Sequence, residues 1–172
     1  IKNAMPVIEK MYKDFAVAHH FPGYAYGIVV DGQLLYKGAE GFANIEEKIP
    51  ATTSSMFRIA SMSKSFTSLA ILHLRDAGKL KLDDPVELYI PAIKGQGLTK
   101  DAAPITIRHL MSHSAGFPED NPWGDRQLDD SEADLIALIE KGLSFSNTTG
   151  TNYEYSNLGF AMLGYIIHKV SG

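Results

Sequence analysis

Phe57-Arg58-Ile59-Ala60-Ser61-Met62-Ser63-Lys64 is the stretch on which the reading of this chain turns. It joins two differently patterned halves and contains Ser-x-x-Lys. The residues after it, Phe66, Leu69, Ala70, Ile71, Leu72 and Leu74, are apolar at helical spacing, and Gly78 supplies a stop. A helix over 61–77 is therefore expected, apolar on more than one face and so buried on most sides. Ser61 and Lys64, at i and i+3, share a face of that helix and can touch. A serine hydroxyl is a weak nucleophile until a base or a positive neighbour activates it. A lysine withdrawn from water surrenders its proton more readily and can serve as that neighbour. The helix N-terminus adds backbone N–H groups and a dipole that favour developing negative charge. Alone, the tetrad reads more simply as a capping serine and a solvated lysine.

Upstream of this stretch, Met5, Ile8, Met11, Tyr12, Phe15 and His19 recur at helical spacing, with Pro6 tolerated in the first turn. Residues 24–30 read as a strand, Asp31-Gly32 as a two-residue hairpin turn, and 33–37 as the return strand. Residues 38–50 are rich in turn formers, with room for a short strand. Downstream, Asp83-Asp84-Pro85 opens a short helix or turn, and Thr106 can cap a short helix ending near His113. Ser131 with Asp134 resembles a capping box ahead of a helix over 135–141. A last helix is expected over 156–170.

Strands thus cluster before residue 50 and helices dominate after residue 60, an α+β pattern. Residues 1–60 read as the N-terminal part of an α/β region, with one helix and a β-hairpin. Residues 61–172 read as the nucleophile helix and a mostly helical region. A lone hairpin with one helix is a marginal unit with an open sheet edge. The expectation is that further strands lie beyond residue 172, in a C-terminal segment or a second chain.

The 172 residues are 45% hydrophobic and 21% charged, with a formal net charge of -4. Those values fit a globular chain. No basic patch points to nucleic acid. No apolar run approaches a membrane span, and no signal peptide is visible. The absence of cysteine excludes disulfides and thiolate metal sites without fixing a compartment.

Tyr155-Ser156-Asn157 precedes the last helix, and its tyrosine and asparagine, two apart in a turn, can face one cleft. A phenol near a lysine can act as a base, and an asparagine amide can hold a carbonyl. Alone, the pair also fits a tyrosine packed on the core and an asparagine capping the helix. His109 and His113 are four apart on an expected helix, but the Glu of His-Glu-x-x-His is absent. They read as capping or packing residues, and no metal site is expected. His19-His20 ends a helix, and Asp83-Asp84 reads as a turn cap. Trp123 either lines a substrate cleft or anchors its loop. No Gly-x-Ser-x-Gly elbow occurs.

Taken together and in order, these segments resemble the serine β-lactamase and penicillin-binding-protein family, most nearly the branch of class C β-lactamases, D-alanyl-D-alanine carboxypeptidases and related esterases. "FRIASMSKSFTSL" (57–69) is similar to the nucleophile segment, "LKLDDPVELYIP" (80–91) to the stretch after it, and "ITIRHLMSHSAGFP" (105–118) to a further segment. "GTNYEYSNLGFAMLGYII" (150–167) is similar to the Tyr-x-Asn segment. Ser-x-x-Lys and Ser-Asp-Asn are motifs of these enzymes, and here Tyr-Ser-Asn stands in the second place. The resemblance implies an antiparallel sheet flanked by helices with a mostly helical region. It implies a cofactor-free serine hydrolase forming an acyl-enzyme on Ser61 with D-alanyl peptides, β-lactams or small esters. Lys64 and Tyr155 would share the proton traffic, and Asn157 would bind substrate and orient Lys64. Trp123 is carried as a further substrate contact. The Ser61 N–H would be one oxyanion donor, the other coming from a later strand. The third motif, Lys-Thr-Gly or His-x-Gly, is not in place in these residues. The family is mostly exported, which makes a periplasmic or secreted location the default. A non-catalytic binding, sensor or scaffold protein on the same fold is the alternative.

Overall fold

A computed structural model describes residues 4–120, 124, 126–127 and 129–172. The described residues fall into two compact units, divided between Arg58 and Ile59.

The first unit carries α1 (Met5–Ala18) and an antiparallel sheet in the order β1 (Gly23–Val30), β2 (Gln33–Asn44), β3 (Ile49–Pro50). Pro6 sits in the first turn of α1, where its missing N–H breaks no helical bond. Asp31 and Gly32 adopt φ of +50° and +74°, the paired left-handed conformations that let a two-residue turn match the strands' twist. β2 runs past the expected 33–37, to Asn44. Gly38, which reads as a turn residue, instead makes space within the strand: a Cβ there would lie 2.7 Å from the Tyr26 ring. That ring stacks on Tyr12 of α1 at 4.3 Å, while Lys13 and Tyr24 both donate to Glu40, at 2.7 and 2.9 Å. Among the unit's described residues only Ala16 and Ala51 are buried, as a small three-stranded layer with a two-residue edge strand would have it.

The second unit is helical. Its long elements are α2 (Ser63–Asp76), α3 (Ile107–Met111), α4 (Glu132–Glu140) and α5 (Asn157–Ser171). α5 is the hub. Met162, Leu163 and Ile166 are fully buried and join Ile71 and Leu74 of α2, Ile107 and Leu110 of α3 and Ile139 of α4 in one core. Thr106 and His109 form a reciprocal capping box on α3, and Ser131 with Asp134 does the same on α4. The stretch between α2 and α3 is stapled to itself by Val86 N–H to Ile105 O (2.8 Å) and Arg108 N–H to Leu82 O (2.7 Å). Gln96 fastens the same stretch to α4, donating to Ala92 O and Ile139 O and accepting from Leu143 N–H.

Two expectations change here. The helix foreseen from Ser61 begins at Ser63, preceded by a 3-10 turn over Ala60–Met62. Nor is it buried on most sides: Phe66 and Leu69 are 67% and 64% exposed. At 100° per residue they lie about 140° and 160° round the helix from Ile71. They therefore cannot share the seam through which α2 meets α5. No helix of the described residues is long and apolar enough to cross a membrane.

Candidate active site

Four side chains foreseen from the sequence converge within the second unit. Ser61 Oγ lies 2.5 Å from the Tyr155 phenol oxygen and accepts from Lys64 Nζ at 3.3 Å. Lys64 Nζ also donates to Asn157 Oδ1 at 2.5 Å, and the Tyr155 hydroxyl reaches the same oxygen at 3.4 Å. The ammonium stands 4.8 Å from the centre of the Tyr155 ring and 5.5 Å from that of Phe160, within cation–π range of both. Ser61 is exposed, whereas Lys64, Tyr155 and Asn157 are half-buried. The nucleophile candidate therefore faces solvent and its partners stand behind it.

Local backbone explains the placement. Ala60 has φ of +45°, a left-handed conformation that costs a non-glycine residue about 1–2 kcal/mol. The kink lets the chain swing into the 3-10 turn and then α2, setting Ser61 one turn before Lys64. Such residues concentrate at functional sites.

Tyr155 and Asn157 are set by a different device. Residues 113–120 run beside 146–155, joined by Ser146 N–H to Gly116 O (2.9 Å), Gly150 N–H to Ser114 O (2.8 Å), Glu154 N–H to His113 O (2.8 Å) and Asp120 N–H to Tyr155 O (3.3 Å). α5 then starts at Asn157, and a helix start leaves backbone donors without helical partners. Every one is met. Ser156 N–H donates to His113 Nδ1 at 3.0 Å, and Asn157 N–H to Asp120 Oδ1 at 2.6 Å. Leu158 N–H donates to Asp120 Oδ2 at 2.9 Å, and Gly159 N–H to Ser156 Oγ at 3.0 Å. The Ser156 hydroxyl in turn donates to Asp120 Oδ2 at 2.9 Å. Asn157 is thus the first residue of a fully capped helix. Gly124 backs its amide: a Cβ there would stand 2.7 Å from Asn157 Cγ.

His113 packs flat on Tyr155, ring centres 4.7 Å apart at 28°, and against Phe160 at 5.0 Å. Burial first, and then the Lys64 ammonium, hold its imidazole below the ordinary 6.5, against the pull of Asp120. His109 is also pushed down by burial. Its Nδ1 takes the Thr106 N–H at 3.2 Å in the capping box. α3 ends at Met111, so His113 lies in the turn beyond it rather than on a shared helix face. The two histidines serve separate caps. Trp123, the further substrate contact expected from sequence, lies outside the described residues.

Asp120 and Gly124 were not foreseen, and His113 was foreseen only as a capping or packing residue. The side-chain partners of Asp120 lie at least 36 residues away, and no local pattern marks such a cap.

The Beta-lactamase family profile matches residues 8–172. Penicillin-binding protein 4* of Bacillus subtilis (strain 168) is 32% identical over 176 residues, which cover 99% of this chain and 37% of that protein. The octameric penicillin-binding protein homologue from Pyrococcus abyssi has a TM-score of 0.82 at 32% identity, over 98% of this chain and 39% of that one. A class C beta-lactamase in complex with cefoxitin has a TM-score of 0.81 at 24% identity, over 99% and 46% of the two chains. At that identity the likeness speaks for the fold alone. The chain spans 37% and 33% of the curated relatives Penicillin-binding protein 4* and Protein flp of Staphylococcus aureus (strain N315). The α+β architecture is therefore part of the β-lactamase/transpeptidase-like fold, and with the match running from residue 8 to the last, the chain belongs to the Beta-lactamase family.

Proposed function

We propose that these residues supply the nucleophile-bearing part of an acyl-transferring serine hydrolase acting on D-alanyl peptides, β-lactams or small esters. One observation carries the reading: Ser61 Oγ is held between the Tyr155 phenol oxygen and Lys64 Nζ, at 2.5 and 3.3 Å. Both are within proton-transfer reach of the hydroxyl.

The chemistry follows from that geometry. Ser61 Oγ adds to the carbonyl carbon, forming a C–O bond. Its proton enters the Tyr155–Lys64 pair, which must start one proton short of its fully protonated form. Collapse of the adduct breaks the carbonyl bond to nitrogen, or to oxygen in an ester, and the leaving atom takes the proton. Water then adds to the acyl carbon and gives a proton to the same pair. The Ser61 C–O bond breaks, Ser61 is reprotonated and the acid departs. Asn157 fixes Lys64 and borders the reacting carbonyl. The Ser61 N–H serves as one oxyanion donor, and a second comes from a strand outside these residues. An oxyanion donor is typically worth about 10²–10³ in rate.

The test is labelling of the protein at its full natural length with a fluorescent penicillin and a fluorophosphonate, with the adduct located by peptide mass spectrometry. A Ser61 adduct that disappears in Ser61→Ala is expected. Folded protein that takes neither probe on Ser61 refutes the reading in favour of a binding or scaffold role.

A further inference from the structure

We propose that His113 is a positioning residue of the Ser61 site, a neutral imidazole that holds Tyr155 and the first turn of α5 in place opposite Lys64. The proposal rests on the reading of Ser61 as a nucleophile and adds to it a residue that touches neither substrate nor Ser61.

Three contacts make the case. Nδ1 accepts the Ser156 N–H at 3.0 Å, between the two residues that carry the phenol and the amide. The ring lies flat on Tyr155 and against Phe160, the two aromatic faces that also meet the Lys64 ammonium. Glu154 N–H donates to the His113 carbonyl at 2.8 Å, so side chain and backbone grip the same segment. An Nδ1 that accepts leaves the single proton of a neutral ring on Nε2. Protonation would place a hydrogen on Nδ1, aimed at the Ser156 N–H, and the bond would break. It would also add a cation beside Lys64.

The surroundings favour the neutral ring. Lys64 faces it from α2. Tyr153 (edge-on at 5.4 Å) and Tyr155 face it from the preceding segment, and Phe160 from α5. Asp120 is the acid that could stabilise a cation, but its oxygens are occupied by Ser156, Asn157 and Leu158. The Glu154 carboxylate is turned to Glu119 N–H and Asn147. Burial and Lys64 accordingly outweigh Asp120.

Two measurements on the protein at its full natural length decide it. In nitrogen-resolved NMR of the imidazoles, His113 is expected to carry its proton on Nε2 at pH 7. Its midpoint is expected below 6.5, moving up in Lys64→Met. A proton on Nδ1 at pH 7, a midpoint at or above 6.5, or one indifferent to Lys64→Met overturns the proposal, even if no His113 variant folds. The second measurement is the rate of fluorophosphonate labelling of Ser61 from pH 7.5 to 5. His113→Asn keeps an acceptor for Ser156 but loses the ring and cannot titrate. It is expected to label about tenfold more slowly at pH 7.5, the scale of a small misplacement of reacting groups, yet to lose less of its rate on acidification than wild type. Parallel pH profiles overturn the proposal and leave the nucleophile standing. Failure of wild type to label Ser61 at any pH overturns both.

Discussion

Asp120→Asn tests whether the start of α5 is held as the structure shows. The change keeps the size of the side chain and replaces one carboxylate oxygen by an amide. Asp120 now accepts from Asn157 N–H at 2.6 Å, Leu158 N–H at 2.9 Å and the Ser156 hydroxyl at 2.9 Å. The asparagine carbonyl can keep the Asn157 bond, but its NH₂ then faces the Leu158 N–H, donor against donor. One unmet backbone donor in a half-buried place costs about 1–3 kcal/mol. Removing a negative charge from the N-terminus of a helix costs about 0.3–1 kcal/mol, and up to about 2 where partly buried. Together these give about 1–5 kcal/mol, a sizeable fraction of the roughly 5–15 kcal/mol that stabilises a domain. With a urea m-value of about 2 kcal/mol/M, the unfolding midpoint should fall by about 0.7–2.5 M at unchanged m. The assay is equilibrium urea unfolding followed by far-ultraviolet circular dichroism, with Ser61 labelling on the folded variant. Because Ser156 Oγ shares Oδ2, Asp120→Asn and Ser156→Ala should be non-additive in a double-mutant cycle. A midpoint within about 0.3 M of wild type would show that water replaces the carboxylate at little cost. The capped start of α5 would then not be what sets Asn157.

Other expectations follow from single contacts. His109 and His113 are both held below 6.5. Their contribution to stability is therefore full above pH 6.5 and is lost as pH falls through their lowered folded values. The urea midpoint should drop on that acid side. His109→Gln, which keeps a capping-box partner, should flatten part of the slope, and an unchanged slope would contradict the burial of His109. Gly124→Ala should press the Asn157 amide away from Lys64 and slow Ser61 labelling by about tenfold or more, with stability little changed. Wild-type labelling in that variant would mean Asn157 moves freely without consequence. Gln96→Ala strands Leu143 N–H, while Ile139 O keeps the Gly142 N–H, and should cost about 1–3 kcal/mol in urea unfolding, leaving the labelling rate per folded molecule as it was. A labelling loss there would tie the α4 side of the core to the site.

What was legible in the sequence is what short-range physics encodes. Asp31-Gly32 marks its hairpin because few residue pairs accept two left-handed conformations in a row. Thr106 and Ser131 mark α3 and α4 because a capping box closes within three residues. Ser61 with Lys64, and Tyr155 with Asn157, are each local pairs. Their convergence was legible only through family resemblance, since nothing local says that residues 94 apart will share a hydrogen bond. Asp120 was hidden for the same reason, and His113 was legible as a capping or packing residue but not for what it caps, because each acts on a segment 36 to 43 residues away. The extent of burial on α2 was misread from composition. Apolar residues on several faces show what a helix can bury, and Phe66 and Leu69 show that a given unit need not bury them all.

The two halves of the site answer to different parts of the molecule, and this constrains how it can fail. Ser61 and Lys64 ride on the turn from Ala60 into α2, while Tyr155 and Asn157 ride on the start of α5. The 2.5 Å between Ser61 Oγ and the Tyr155 hydroxyl is therefore set by how α2 packs on α5, through Ile71 and Leu74 against Met162, Leu163 and Ile166. Cores resist displacement because they are close-packed, so this seam acts as a ruler for the chemistry. The cap made by Asp120 and His113 governs a different variable, the orientation of Tyr155 and Asn157 about the helix start. A loosened seam should change the separation of nucleophile and phenol, and with it the first proton transfer. A loosened cap should turn Tyr155 and Asn157 about the helix start, misaligning the phenol with Ser61 and releasing Asn157 from Lys64. Substitutions in the seam and in the cap lie on opposite sides of the same four residues. Their effects on Ser61 labelling should be coupled, because either one alone already disturbs the hydrogen bonds that the other would break.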